Sequence, residues 1–414
     1  MHIMPEKLGR IFIFLVPFIL LLGALFVSLV PDIYRISITP AGKTYALVHN
    51  NLTDYYYYLS LMRQGYEGNW LLTSRMTPEN FQPVFAQTFF AILGHISRIG
   101  NISQVSIYFL SRVISAILLM LTVIYIIKSL FKSNRHIILA SFLVFFSTGF
   151  WTVSEFYGKL SVNQFLTFWT RMDPILRTTY LPHHLVSTIL GALSLIFLSQ
   201  GLDKSDIKKI ILAGVSGFLA ELIYFASMIN ILGGVAIVFL AFLCKSIIRK
   251  QRETFGQIPL FLVYFGISAL SFLYLLGLAR TTFPWSSYAN SGERFTFGFF
   301  VNEYIGALGP TFILSLLGIG SILKGKTWLP KMLLGWAIFP FVGLLVINRI
   351  YWRFADIYYL EAATYIPLGI LSVYGWKVLE QRIFQKIKGS AVIFAIILLL
   401  YFIPPLVFSF QNEL

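Results

Sequence analysis

The feature that most limits this chain is a series of apolar runs, each near the 20 or so residues that a helix needs to cross the hydrocarbon layer of a bilayer. The runs fall at 11–30, 104–127, 137–153, 184–200, 210–224, 228–244, 258–279, 303–323, 331–347, 357–376 and 390–410. They are apolar on every side, whereas the strands of a membrane barrel alternate apolar and polar residues. Of 414 residues 57% are apolar and 12% charged, which leaves too little polar surface to cover a water-soluble core. The sequence therefore predicts an all-α membrane protein of about 11 transmembrane helices, organised as a single integral membrane domain over 1–414.

Two runs need separate arguments. Ile11–Val30 is long for the apolar part of a signal peptide and lacks a small-x-small cleavage site, so it is read as a retained first helix. Ile210–Cys244 as one helix would be about 50 Å long against a hydrocarbon thickness of about 30 Å. Both of its flanks are basic, Lys208 and Lys209 before and Lys245 and Lys250 after, so the chain is expected to turn back near Tyr224–Asn230. The one cysteine, Cys244, excludes an internal disulfide and a cysteine metal site.

The net charge of +15 is distributed as an orientation signal. With the amino terminus in the cytoplasm and the connections alternating, the inner segments hold 19 of the 32 basic residues and five of the 17 acidic ones. Nearly all the excess positive charge then lies beside an anionic leaflet, and nucleic acid is not needed as a partner. The expected location is the cell membrane, with the carboxy terminus and the longest connection outside. That connection, 31–103, is expected to carry two interfacial helices, Asp54–Gln64 and Pro83–Arg98, the second with apolar residues at Val84, Phe85, Phe89, Ile92, Leu93 and Ile96.

Two constellations in the outer segments carry groups suited to chemistry. In Asn51–Tyr58, Thr53 is placed to cap a helix beginning at Asp54, and a carboxylate in the first turn is favoured by the helix dipole. The plain alternative is a helix start with interfacial tyrosines. The functional reading makes Asp54 a general base or metal ligand above the membrane. Four successive tyrosines cannot all face lipid, so Tyr57 and Tyr58 are candidates for a polar aromatic surface of the kind that suits sugars. The second constellation runs from Arg171 through Asp173 and Arg177 to Pro182, His183 and His184. Guanidinium forks match phosphate geometry, and a helix start adds free N–H donors. Arg171, Arg177, His183 and His184 are accordingly candidate phosphate ligands. A two-histidine metal site lacks a third ligand.

These residues carry a resemblance. Asp54 in Asp-Tyr-Tyr-Tyr-Tyr-Leu-Ser-Leu-Met-Arg-Gln-Gly-Tyr-Glu-Gly-Asn-Trp, the Arg171-Met-Asp-Pro stretch and Arg353-Phe before a late run, set on this layout, resemble the polyprenyl-phosphate-dependent glycosyltransferases of the GT-C fold. The resemblance implies an inverting sugar transfer from a polyprenyl-phosphate donor to a glycan, lipid or protein acceptor on the outer face. It implies Asp54 as the base, and Arg349 or Arg353 as holders of the donor phosphate. Such enzymes often show two adjacent acids in the first outer loop; this chain has Asp54 alone, which points to Glu155 as the second. The cofactor that the resemblance admits is a divalent cation, Mg or Mn. Two other classes stay open: a lipid or solute transporter, which broken helices favour, and a catalytically inactive scaffold of the same fold.

Overall fold

The structure is a computed structural model that describes residues 6–48, 52–156, 159–164, 166–248, 250, 256–290, 301–348, 355–387 and 389–413. It begins with a long helix α1 (Glu6–Ser37), then α2 (Leu52–Tyr66), α3 (Thr88–Gly100), α4 (Gln104–Leu130) and α5 (Asn134–Phe146). A hairpin of β1 (Trp151–Phe156) and β2 (Lys159–Gln164) follows, then two short helices α6 (Thr167–Thr170) and α7 (Pro174–Thr178). The remaining helices are α8 (Pro182–Lys204), α9 (Ile207–Ile223), α10 (Phe225–Ile248), α11 (Ile258–Thr281), α12 (Trp285–Asn290), α13 (Val301–Lys324) and α14 (Leu329–Val342). The last are α15 (Ile357–Leu360), α16 (Tyr365–Leu379) and α17 (Ser390–Glu413).

Among the described residues, eight helices are long and apolar enough to cross a membrane: α1, α4, α8, α10, α11, α13, α14 with the π-turn Gly343–Ile347 that extends it, and α17. Three other predicted runs form shorter helices. α5, α9 and α16 have 13, 17 and 15 residues, which at about 1.5 Å per residue fall short of a hydrocarbon layer of about 30 Å. The chain is thus an α-helical membrane protein. Its spans turn leucine and isoleucine outward: on α17, Val392, Ile393, Ile396, Leu400, Ile403 and Val407 are all exposed, a surface that water would not tolerate and lipid does.

Local chemistry sets the boundaries. Ser103 caps α4 by accepting from the Ser106 amide. Asp206 caps α9 by accepting from the Lys208 and Lys209 amides, which satisfies donors that have no partner within the helix. The run over 210–244 does break, at Tyr224, whose extended backbone separates α9 from α10. Other boundaries differ from the sequence reading. The run at 137–153 is helical only to Phe146, because its end enters the hairpin. The run at 357–376 becomes a single helical turn, an irregular stretch through Thr364, and α16. Helix α2 starts at Leu52, so Asp54 lies inside its first turn; the Thr53 side chain lies outside the described residues. Helix α3 starts at Thr88, five residues later than expected.

The basic loops meet at one end of the bundle. The Lys128 ammonium sits 4.7 Å from the Phe18 ring and that of Lys377 4.7 Å from the Phe131 ring. His136 Nε2 is 3.1 Å from Glu380 Oε2, Gln257 donates to the Leu202 carbonyl at 3.3 Å, and Lys331 lies within the fields of Lys245 and Asp203. Helices α4, α8 and α10 therefore end, and α5, α11 and α14 begin, at this end, and α2, α3, the hairpin and α7 gather at the opposite end.

Helices α2 and α3 touch backbone to backbone. A Cβ on Gly65 would stand 2.3 Å from the Ala91 carbonyl oxygen, and one on Gly94 2.1 Å from that of Met62. Glycine at both positions lets the two helices approach and seat Tyr58, Phe90 and Ala91 in the core.

Candidate functional site

The end away from the basic loops holds an irregular backbone stretch, 171–181, between α6 and α8. Asp173 starts α7 by accepting from the Ile175 and Leu176 amides, with Pro174 at the first helical position. Two buried arginines tie this stretch down. Arg177 donates to the carbonyls of Val144 at 2.7 Å, Met172 at 2.7 Å, Asp173 at 3.4 Å and Ser147, and lies over the Tyr365 ring. Arg112, from the middle of α4, donates to the Thr179 carbonyl through Nε at 3.1 Å and Nη2 at 2.9 Å, and to the Leu47 carbonyl through Nη1 at 3.0 Å. Its Nη2 is also 3.8 Å from Asp32 Oδ2, and Asp32 Oδ1 accepts from the Tyr45 hydroxyl at 2.9 Å. These bonds fix 171–181 against 45–48, the segment that leads into α2.

Held in this way, the stretch delivers a cluster of polar side chains. Arg171 adopts a left-handed backbone, φ 55°, a conformation costly for a residue with a Cβ. Its guanidinium donates to Nδ1 of His184 in the first turn of α8 and lies 4.6 Å over the Tyr180 ring. Accepting at Nδ1, the neutral His184 ring carries its hydrogen on Nε2. His184 Nδ1 is 3.7 Å from Oε2 of Glu361, which follows α15. Glu361 accepts from Tyr180 Oη at 3.1 Å and from the Tyr224 hydroxyl. The Tyr224 ring stacks on His184 with centroids 3.6 Å apart. The break between α9 and α10 thus serves the cluster. Glu361 is held from below by bonds to its own segment: Asn230 donates to the Tyr358 carbonyl at 2.7 Å and Trp336 to that of Ala362 at 2.6 Å.

Asp54 and Tyr58 lie one turn apart on α2 and overlook this cluster. Tyr58 stacks on Phe90 at 4.3 Å and meets the His183 ring edge-on at 4.9 Å. The Asp54 side chain is open to solvent, yet the protein around it strips enough water from the carboxylate to push its pKa up. Burial also raises the Glu361 carboxyl; Arg171 and the two tyrosine hydroxyls oppose that rise, and the charge of Asp54 adds to it. The influence of Asp54 on Glu361 puts the acid of the first connection within electrostatic reach of a carboxyl that is remote in the chain. Among the described residues, three buried polar atoms around the cluster have no hydrogen-bond partner: Arg171 Nε, His183 Nδ1 and the Tyr108 hydroxyl.

Among the expected site residues, Asp54, Tyr58, Arg171, His183 and His184 come together. Tyr57, half-buried, has its ring 6.0 Å from that of Tyr58. Arg177 is close by in sequence but spends its donors on carbonyls of its own chain. Glu155 is exposed on β1 opposite Leu160, and among the described residues nothing joins it to Asp54. The second acid in the cluster is instead Glu361. Arg349 and Arg353 lie outside the described residues. Among the described residues no three His, Cys, Asp or Glu side chains gather as a metal site requires. Both Glu361 oxygens already accept from tyrosines, so this donor set does not fit a divalent cation and no step is derived through one.

Sequence reasoning leaves Arg112, Asp32, Tyr180 and Tyr224 unassigned. For Arg112 a signal exists: an arginine in the middle of an apolar run is expensive and so has a partner or a task. The tyrosines carry no such mark. No protein-family model matches this chain, and no curated protein matches it at a significant level.

Proposed function

We propose that the chain is a membrane glycosyltransferase that moves a sugar from a polyprenyl-phosphate donor to an acceptor on the face opposite the basic loops. With the amino terminus in the cytoplasm, and α5, α9 and α16 counted as spans beside the eight longer helices, that face is the outer one and the span count is 11. The observation that carries the reading is that Arg171, His184 and Glu361 come together from remote parts of the chain, with Asp54 within electrostatic reach of Glu361 at that end of the bundle. In this reading Asp54 takes the proton of the acceptor hydroxyl as that oxygen attacks the anomeric carbon. The bond to the donor phosphate breaks on the opposite side, so the centre inverts. A carboxylate whose affinity for protons is raised by partial desolvation is a better base near neutrality than an ordinary one. Arg171 supplies fixed positive charge to the departing phosphate. Tyr58 and the aromatic rings around His183 offer apolar and hydroxyl surface for the sugar. The acceptor is a glycan, a lipid or a protein.

The test is to incubate purified protein in lipid nanodiscs with a series of polyprenyl-phosphate sugars and measure free polyprenyl phosphate. Release that is lost in Asp54→Asn, while the variant inserts and unfolds as the native protein does, supports the reading. Full release in that variant removes Asp54 from the reaction.

A transporter is the second reading, and one observation favours it. Helix α13 is broken at Gly309, φ 64° and ψ −159°, just before Pro310, and broken helices near the midplane are where transporters place their sites. Movement of a lipid-linked sugar across vesicles without release of polyprenyl phosphate would decide for that reading.

A further inference from the structure

Arg171 is linked through His184 to a carboxylate of its own chain. Its guanidinium touches His184, His184 lies 3.7 Å from Glu361, and the positive charge of Arg171 stabilises the Glu361 carboxylate. An arginine so engaged cannot give its full charge to an incoming anion, because a second anion beside Glu361 would meet like charge in poorly solvated surroundings. One donor of that guanidinium, Nε, is nonetheless buried without a partner among the described residues. The arrangement is a cation site closed by its own counter-ion.

We propose that Glu361 controls anion binding at Arg171: it holds Arg171 and His184 in place when the site is empty, and it takes up one proton when a lipid-linked phosphate binds. This rests on the glycosyltransferase reading and deepens it by naming the residue that gates the donor's anionic group. In the binding step one proton passes from solution to a Glu361 oxygen while one negative charge arrives on the ligand, so the cluster keeps its net charge. No covalent bond changes. Glu361 is a positioning residue in this scheme, since it acts through Arg171 and His184.

Among the described residues, the charged and titratable groups that face Glu361 are Arg171, Tyr180 and His184 from 171–184, Tyr224 from the break after α9, Tyr358 from α15, and Asp54 with Tyr58 from α2. His183, His184 and Asp54 are the other titratable groups around the cluster with ordinary values below neutrality, so the test must separate them. The hydroxyls of Tyr180 and Tyr224 donate to the carboxylate and lose one acceptor when it is protonated, which makes the exchange reversible.

The probe is a short-chain polyprenyl sulfate, a tetrahedral monoanion that does not itself titrate between pH 5 and 8. The native protein is expected to bind it more tightly as pH falls, up to about tenfold per pH unit for one linked proton. A pH indicator in weak buffer should register proton uptake on binding, a measurement that needs no variant. Glu361→Gln should bind at least as tightly and lose the pH dependence, whereas His183→Asn, His184→Asn and Asp54→Asn should keep it. Binding that is flat with pH in the native protein overturns the counter-ion role and leaves the glycosyltransferase reading standing. A dependence that survives in Glu361→Gln and disappears in His183→Asn, His184→Asn or Asp54→Asn overturns it too. Failure to bind the sulfate at any pH overturns both.

Discussion

Replacing Arg112 with glutamine should cost more stability than any surface substitution in the chain, and the structure says why. The side chain is buried at 2% exposure and supplies three hydrogen bonds to two main-chain carbonyls, Thr179 and Leu47, beside its contact with Asp32. Losing one partner of a buried pair costs about 3–5 kcal/mol, because the other charge stays behind. Each carbonyl stripped of its donor adds a further penalty of about 1–3 kcal/mol. These costs overlap, since the segment relaxes and Asp32 keeps the Tyr45 hydroxyl, so a loss of about 3–5 kcal/mol is expected in all. The assay is reversible unfolding by SDS titration in mixed micelles. Arg63→Gln is the control: Arg63 pairs with Glu67 at 3.0 Å, but its side chain is 56% exposed, and such pairs contribute about 1 kcal/mol or less. Asp32→Asn in the Arg112→Gln background should recover part of the loss, because it removes the stranded charge. If Arg112→Gln costs no more than Arg63→Gln, the account of how 171–181 is anchored to 45–48 is wrong.

Further outcomes follow from the same geometry. The proposed sugar transfer should rise with pH along an acid limb that lies above the ordinary carboxylate range, because Asp54 as the proposed base would act only when deprotonated and its surroundings raise its affinity for the proton; a pH–rate profile of the native protein checks this, and a limb at or below pH 4 speaks against Asp54. Glu155→Gln should leave transfer within about twofold of native, as steady-state rates would show, since that side chain is exposed on the hairpin. Gly94→Val should lower stability by about 1–3 kcal/mol or more and loosen α2 from α3, since the first added carbon already collides with the Met62 carbonyl; an unchanged SDS midpoint would contradict that contact.

The membrane architecture was legible because it rests on periodicity and length. Apolar runs and basic flanks alone place the break in 210–244, and the structure puts it at Tyr224. The helix carrying Asp54 was legible for the same local reasons. What escaped depends on tertiary placement. Hairpin residues 151–156 continue an apolar run and look like its end, since a short apolar stretch is ambiguous between helix and strand. Glu361 lies within the predicted run 357–376, but its pairing with Tyr224 from the break after α9 and Tyr180 from the approach to α8 exists only in three dimensions. Glu155 and Glu361 are both single acids near apolar runs, so sequence gave no ground to prefer the one that reaches the cluster. Arg171 and Arg177 sit six residues apart in one motif, yet one contacts a histidine and a neighbouring carboxylate field while the other is consumed by carbonyls.

The carbonyl bonds of Arg112 and Arg177 have one more consequence. Unwound backbone in or near hydrocarbon is tolerated only where something other than lipid receives its polar groups. Here two guanidinium groups take the part that solvent plays at an ordinary loop, each wide and rigid enough to serve two or more oxygens at once. A lysine, with a single compact head on a flexible stem, has no comparable planar fork. The side chains of the stretch 171–181 are themselves buried, so the two positions that quench its main chain, one of them in another helix and 67 residues before Thr179, should admit hardly any change.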